Sequence, residues 1–256
     1  QVDFDPVNET ASLTRLIIHR GDQVIDLKAT VAPQVYRRET RLEEGIIDGT
    51  LTAVVQVPDL RVGDVLEQAT MLETRAMLGA GEHGGSSWLE WSTPVALSRT
   101  LLIWPKDTPL EVLPLPDRVT YTTTDPGDGT LRHDWRRENH IPPIDEEGVP
   151  YEVVEDALLR FSDTRDWTPL ALAIAPHYTQ DYPLSPEWEA KVDQIAADNP
   201  TPDTRAYAAL RLVQDEIRYV SLSAGAGGYL ARPPQEVIAS GFGDCKDKSL
   251  LLRVIL

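Results

Sequence analysis

The sequence predicts an α+β protein. An N-terminal antiparallel β-sandwich-like domain spans residues 1–164, a helical linker 165–186, and a helical region 187–256. Three observations carry that prediction. Apolar and polar residues alternate along the first part, as in Leu51, Ala53, Val55 and Val57. The run Asp125-Pro126-Gly127-Asp128-Gly129-Thr130 is a hairpin turn between two alternating arms. Ala206, Leu210, Val213, Ile217 and Val220 then recur at helical spacing.

Taken in order, Thr50 to Val57 reads as a strand, and so does Leu97 to Ile103. Leu66 to Leu78 also reads as a strand, although its spacing resembles a helix. In the hairpin, Val119, Tyr121 and Thr123 share one face of Arg118 to Thr124, while Leu131, His133 and Trp135 share one face of Leu131 to Arg137. Pro58, Gly63, Pro94, Pro105, Pro109, Pro114 and Pro116 punctuate the strands. After Phe161 the period changes. Asp166-Trp167-Thr168-Pro169 starts a helix over Leu170 to Tyr178, which Pro176 limits or ends. Ser185-Pro186-Glu187 opens another helix, carrying Trp188, Val192 and Ile195, and Asn199-Pro200 stops it. Asp203 or Thr204 opens the next. A loop with Gly225, Gly227 and Gly228 follows, then a helical turn from Pro233-Pro234 to Ala239. Asp244 caps a final helix in which Leu251, Leu252, Ile255 and Leu256 are expected to be largely buried in any complete fold.

Of the 256 residues 41% are hydrophobic, which suffices for one large core or two smaller ones. The formal net charge of −17 repels phosphate backbones and anionic lipid, so nucleic acid is not an expected partner. No apolar stretch reaches membrane-spanning length. A single cysteine excludes an internal disulfide framework. No histidine pair has metal-ligand spacing, and Asp125, Asp128 and the Asp145-Glu146-Glu147 run read as solvated turns. No metal or other cofactor is expected.

Cys245 lies in Gly241-Phe242-Gly243-Asp244-Cys245-Lys246-Asp247-Lys248-Ser249, ahead of an apolar run. A thiolate, not a thiol, attacks carbonyl carbon. A helix N-terminus favours an anion by about 0.3–1 kcal/mol. That is too little to replace an imidazolium partner. The bland reading of Cys245 is a small buried hydrophobe. Its glycine-flanked, charged surroundings argue against that.

Tyr207 to Leu256 resembles the first half of a transglutaminase-like core, the papain-related fold with a Cys-His-Asp triad. The matching pieces are Gln214-Asp215-Glu216-Ile217-Arg218-Tyr219-Val220, Gly227-Gly228-Tyr229, Arg232-Pro233 and Gly243-Asp244-Cys245-Lys246-Asp247-Lys248. Residues 1 to about 165 resemble the β-rich module that precedes such cores in bacterial proteins. Its marks are Phe4-Asp5-Pro6, Gly21 to Asp26, Pro58 to Val65 and Trp91 to Val95. Leu230 and Ala231 depart from the pattern, which usually has another arginine there. The resemblance implies that Cys245 is the nucleophile, that a backbone N–H at the helix start holds the oxyanion, and that Tyr219, Tyr229 and Asp244 border the substrate groove. It implies a protein or peptide substrate and residence in the periplasm or outside the cell. It also implies that the triad histidine and aspartate follow Leu256, because His19, His83, His133, His140 and His177 all precede Cys245. The chain alone is then expected to be nearly inactive, and to self-associate through the unpaired face of its last helix or fray there.

The competing function is a non-catalytic scaffold whose β-domain binds a polymer or partner. Trp88, Trp91, Trp104 and Trp135 are either its binding face or core residues. His177 reads as surface or cap chemistry. The loop at Gly225–Gly228 lacks the spacing of a phosphate loop.

Overall fold

The computed structural model describes residues 1–38, 42–76, 83–142, 157–164, 166–222 and 225–256. The Asp145-Glu146-Glu147 run lies outside them. The chain is α+β, as its periodicities predict. One compact unit combines residues 1–78 with 174–256, and a second holds residues 79–173.

In the first unit the chain forms β1 (Val2–Phe4), β2 (Glu9–Arg20), β3 (Gln23–Asp26), β4 (Gln34–Arg37), β5 (Ile46–Ile47), β6 (Leu51–Val54) and β7 (Val65–Thr74). They make two antiparallel three-stranded sheets, ordered β1-β6-β4 and β3-β2-β7. The segment whose spacing resembled a helix is therefore a strand, β7, in register with β2 from Glu9↔Thr74 to His19↔Val65. Leu16 and Ile18 of β2 point to one side and are fully buried. The turn before β7 is held by Arg20, whose Nε and terminal nitrogen donate to the two oxygens of Asp64 at 2.9 and 2.8 Å. A groove of about 280 Å³ is lined by Phe4, Leu13, Val35, Ala53 and Val55, among others. None of the candidate site residues reaches it.

The second unit contains β8 (Gly84–Trp88), β9 (Val95–Pro105), β10 (Glu111–Val112), β11 (Thr120–Thr124), β12 (Thr130–His140) and β13 (Leu158–Ser162). The strands form sheets ordered β11-β12-β9 and β10-β13-β8, and residues of both pack into one core. Antiparallel β-structure thus dominates the N-terminal part, as the sequence predicts. The hairpin forms as the turn predicts, with Tyr121 opposite Trp135 and Thr123 opposite His133. Asp125 accepts from Gly127 N–H, and Asp128 from Thr130 N–H, while both glycines of the turn have positive φ. Trp135, Leu89, Ala157 and Leu159 form the core between the sheets. Trp104 is also buried and meets Phe161 edge-on at 6.0 Å. Trp88 and Trp91 are about half exposed, so the four tryptophans divide between core and surface.

The chain then forms α1 (Thr168–Thr179), α2 (Pro186–Asp198), α3 (Pro202–Glu216), β14 (Arg218–Tyr219), β15 (Ser221–Leu222), α4 (Pro234–Ser240), β16 (Phe242–Gly243) and α5 (Cys245–Ile255). Pro176 does not end α1. The helix continues to Thr179, because a proline in the last turns removes one hydrogen bond without stopping the remaining ones. Ser185 caps α2 with Pro186 in the first turn, as expected. The cap of α3 is Thr201, two residues before the predicted start, and it exchanges bonds with Thr204. The buried face of α3 centres on Ala209 and Val213, followed by Ile217. Ala206 is exposed and Leu210 lies at the margin, so the predicted stripe is rotated. Trp188, Val237, Leu251 and Ile255 complete this core. Leu251 and Ile255 are buried as expected and Leu252 is half-buried, but Leu256 is exposed. The apolar face expected to stand unpaired on α5 is therefore largely packed. Among the described residues no helix is long and apolar enough to cross a membrane.

Candidate active site

The start of α5 is built by two carboxylates that lie on either side of Cys245 in sequence. Asp244 is the N-cap, and its Oδ1 accepts from the backbone N–H of Lys246 at 3.1 Å and of Asp247 at 3.2 Å. Asp247 returns the bond through Oδ2 to the N–H of Asp244 at 3.4 Å. Both side chains are nearly inaccessible, at 4% for Asp244 and 1% for Asp247. Burying carboxylates requires partners. Asp244 has the ammonium of Lys246. Asp247 has Arg232, whose N–H reaches Oδ1 at 2.8 Å and whose Nε reaches Oδ2 at 2.9 Å. The same guanidinium donates to the Phe242 carbonyl and lies over the Phe242 ring, 5.1 Å from its centroid.

Gly243 is demanded by close approach. A Cβ there would lie 2.8 Å from Asp247 Cβ and 3.1 Å from Val237 Cγ1. Gly241 has φ of 70° and ends α4 in the left-handed conformation. Between them β16 pairs in parallel with β14, with Tyr219 in register with Gly243. Lys248 Nζ donates to the Ile217 carbonyl at 2.6 Å, tying α5 to the end of α3.

Cys245 is exposed in this frame. Its neighbours Gly243, Asp244 and Asp247 are buried, so its side chain leaves the turn toward solvent. Tyr219 and Tyr229 are both more than half exposed. Tyr219 stands beside the turn through its strand register. Asp244 is turned inward as a cap, not outward as part of a groove. The Gly225–Gly228 loop is a 3-10 turn.

None of the five histidines bonds to Cys245. His19 pairs with Glu67 at 3.0 Å, His83 with Asp163 at 3.0 Å, and His133 with the Tyr121 hydroxyl at 2.7 Å. His140 Nε2 donates to the Trp91 carbonyl at 2.7 Å. His177, half-buried in the last turn of α1, donates to the Ala231 carbonyl and meets Tyr178 and Tyr182 edge-on. Burial lowers the His133 pKa. Among the described residues no three His, Cys, Asp or Glu side chains form a metal-binding group. Sequence reasoning found the Asp244 cap but missed the Arg232–Asp247 pair, whose members are 15 residues apart.

No curated protein matches the chain. Its fold is similar to that of a solved structure from Parabacteroides distasonis, named a "putative protease", with a TM-score of 0.72 and 14% identity. The match covers 99% of this chain and 50% of that one, so this chain spans about half its length. Residues 1–144 match the family described as "Domain of Unknown Function with solved-structure structure (DUF3857)", and the chain belongs to that family.

Proposed function

We propose that the intact protein is a transglutaminase-like cysteine enzyme acting on an amide of a protein or peptide, with Cys245 as nucleophile. The observation that carries this reading is the contrast at the start of α5. An exposed thiol stands between two buried, fully bonded carboxylates. An inert core cysteine has no need of that frame. The fold's likeness to a protein named a "putative protease" supports a hydrolytic role.

In the proposed reaction the thiolate of Cys245 adds to the amide carbonyl carbon and forms a C–S bond. The N–H groups of Lys246 and Asp247 are already taken by Asp244. That of Cys245 itself is the donor proposed for the oxyanion. Collapse of the adduct breaks the C–N bond, and the amine leaves with a proton. Water or a second amine then attacks the thioester and releases the thiolate. The imidazole that takes the thiol proton, and the carboxylate that orients it, are proposed to follow Leu256 in the intact protein. Periplasmic or secreted residence belongs to the same proposal.

Iodoacetamide alkylation of Cys245 across pH, in this chain and in one extended beyond Leu256, tests it. Rapid reaction well below pH 8 in the extended form alone is expected. Equal, slow titration in both forms refutes an activated nucleophile. The second reading, a partner-binding scaffold, is favoured by Leu97, Leu101 and Ile103. These project, exposed, from one face of β9, the edge strand of its sheet. Under that reading Cys245→Ala leaves the full protein's biological activity intact.

A further inference from the structure

The segment from Phe242 to Asp247 carries Cys245 in its midst, and one residue holds both of its ends. Arg232 lies just before α4. Its backbone N–H donates to Asp247 Oδ1 at 2.8 Å and its Nε to Oδ2 at 2.9 Å. At the other end of the segment a terminal guanidinium nitrogen donates to the Phe242 carbonyl. The second terminal nitrogen reaches Ser240 Oγ at 3.3 Å, and that hydroxyl lies 3.1 Å from the same carbonyl. A planar fork with fixed N–H directions makes these bonds together, whereas an ammonium cannot.

Asp247 passes the constraint on. Its Oδ2, gripped by Arg232, also accepts from the N–H of Asp244, the residue before Cys245. Asp244 Oδ1 accepts from the N–H groups of Lys246 and Asp247. The N–H groups flanking that of Cys245 are thus committed within the protein. The Cys245 N–H lies in the peptide plane it shares with Asp244, so fixing Asp244 aims it. Gly243, Asp244 and Asp247 are buried, whereas the Arg232 side chain is 22% exposed and can be exchanged without opening the core.

We propose that Arg232 is a positioning residue for the cysteine site, holding Phe242 and Asp247 so that the Cys245 N–H stays aimed at the oxyanion. This rests on the reading of Cys245 as the nucleophile. Arg232 touches no reacting atom and acts through Asp247 and the Phe242 carbonyl. The competing account is that it only neutralises a buried carboxylate, which another cation in its place would also do.

Two stoichiometric reactions of Cys245 separate these accounts. In acylation by p-nitrophenyl acetate the thiolate adds to the ester carbonyl, an oxyanion develops, and p-nitrophenolate leaves as the thioester forms. In alkylation by iodoacetamide the thiolate displaces iodide and no oxyanion forms. Both need the thiolate equally, so their rate ratio reports the oxyanion donor. Neither needs the groups proposed to follow Leu256. The ratio is measured in the wild type, Arg232→Lys and Arg232→Gln, with Cys245→Ala to subtract reaction elsewhere and urea unfolding alongside. The wild-type ratio should exceed that of glutathione. Arg232→Lys keeps the charge and should keep most of the stability. Its ratio should still fall about tenfold, a part of the ~10²–10³-fold that a lost oxyanion donor costs. Arg232→Gln should fall at least as far. A ratio that Arg232→Lys fully preserves overturns the proposal, whatever Arg232→Gln does, and leaves the enzyme reading standing. A wild-type ratio no higher than that of glutathione overturns it together with the Cys245 N–H as donor. Should the Arg232 variants fail to fold, Asp247→Asn cuts the same link from the other side. One of its two oxygens becomes an amide nitrogen and can no longer accept, and the same outcomes decide. A ratio that falls in the variants while the extended protein never cleaves an amide sinks the enzyme reading and keeps the positioning role.

Discussion

Asp247 has almost no access to water, and its charge is tolerated because Arg232 meets both of its oxygens. Removing one member of such a pair leaves the other uncompensated. Asp247→Ala is expected to cost about 3 kcal/mol in urea unfolding, toward the low end for buried pairs because Arg232 keeps some exposure. Asp247→Asn should recover part of that by still accepting from the Arg232 N–H. Gly243→Ala forces a methyl against Asp247 and Val237, and overpacking of this kind costs about 1–3 kcal/mol. It should also slow Cys245 alkylation by displacing the turn. The cap at Asp244 was legible because a capping residue sits at a fixed offset from the apolar run it precedes. The partner of Asp247 was not, because a side-chain pair between separate elements leaves no local pattern.

At the scale of elements, strands and hairpin followed from period-two alternation and turn chemistry, and the helix starts from Ser185 and Asp244. The face of α3 was less legible. Two overlapping stripes satisfy helical spacing, and only the packing of Trp188, Val237 and Leu251 selects the one through Ala209 and Val213. A pair of substitutions checks this. Val213→Ala is expected to cost about 2 kcal/mol of stability, as in other buried truncations. Leu210→Ala, at the margin, should cost less than about 1 kcal/mol. Equal losses would place both residues in the core.

Across the whole molecule, each of the two units has its own core, and the second is expected to be sensitive to acid. Glu90 accepts from Arg118 Nε at 2.8 Å and Arg137 Nε at 2.8 Å. These hydrogen bonds, with Arg118 foremost, lower its pKa to about 2. The folded form thus holds its proton less tightly than the unfolded chain does. The stabilisation is complete above the ordinary carboxylate pKa and is lost as pH falls toward about 2. It amounts to at most about 3 kcal/mol. Thermal unfolding of residues 79–173 should therefore shift downward on acidification through that window. Glu90→Gln should begin lower and slope less. An unchanged slope in the variant would assign the acid sensitivity to other carboxylates.

The division of the chain has a consequence for its birth. Residues 79–173 are contiguous and can close as soon as they leave the ribosome, whereas β1 to β7 belong to a unit finished only by residues 174–256. Strands β1 to β7 must wait for helices α2 to α5, with residues 79–173 emerging between them. Asp5 meets Gly225 only after the 220 residues between them in sequence have been translated. Synthesis thus leaves the sheets of β1 to β7 waiting for the helices of their unit, and their unpaired edges are where a chaperone has most to protect.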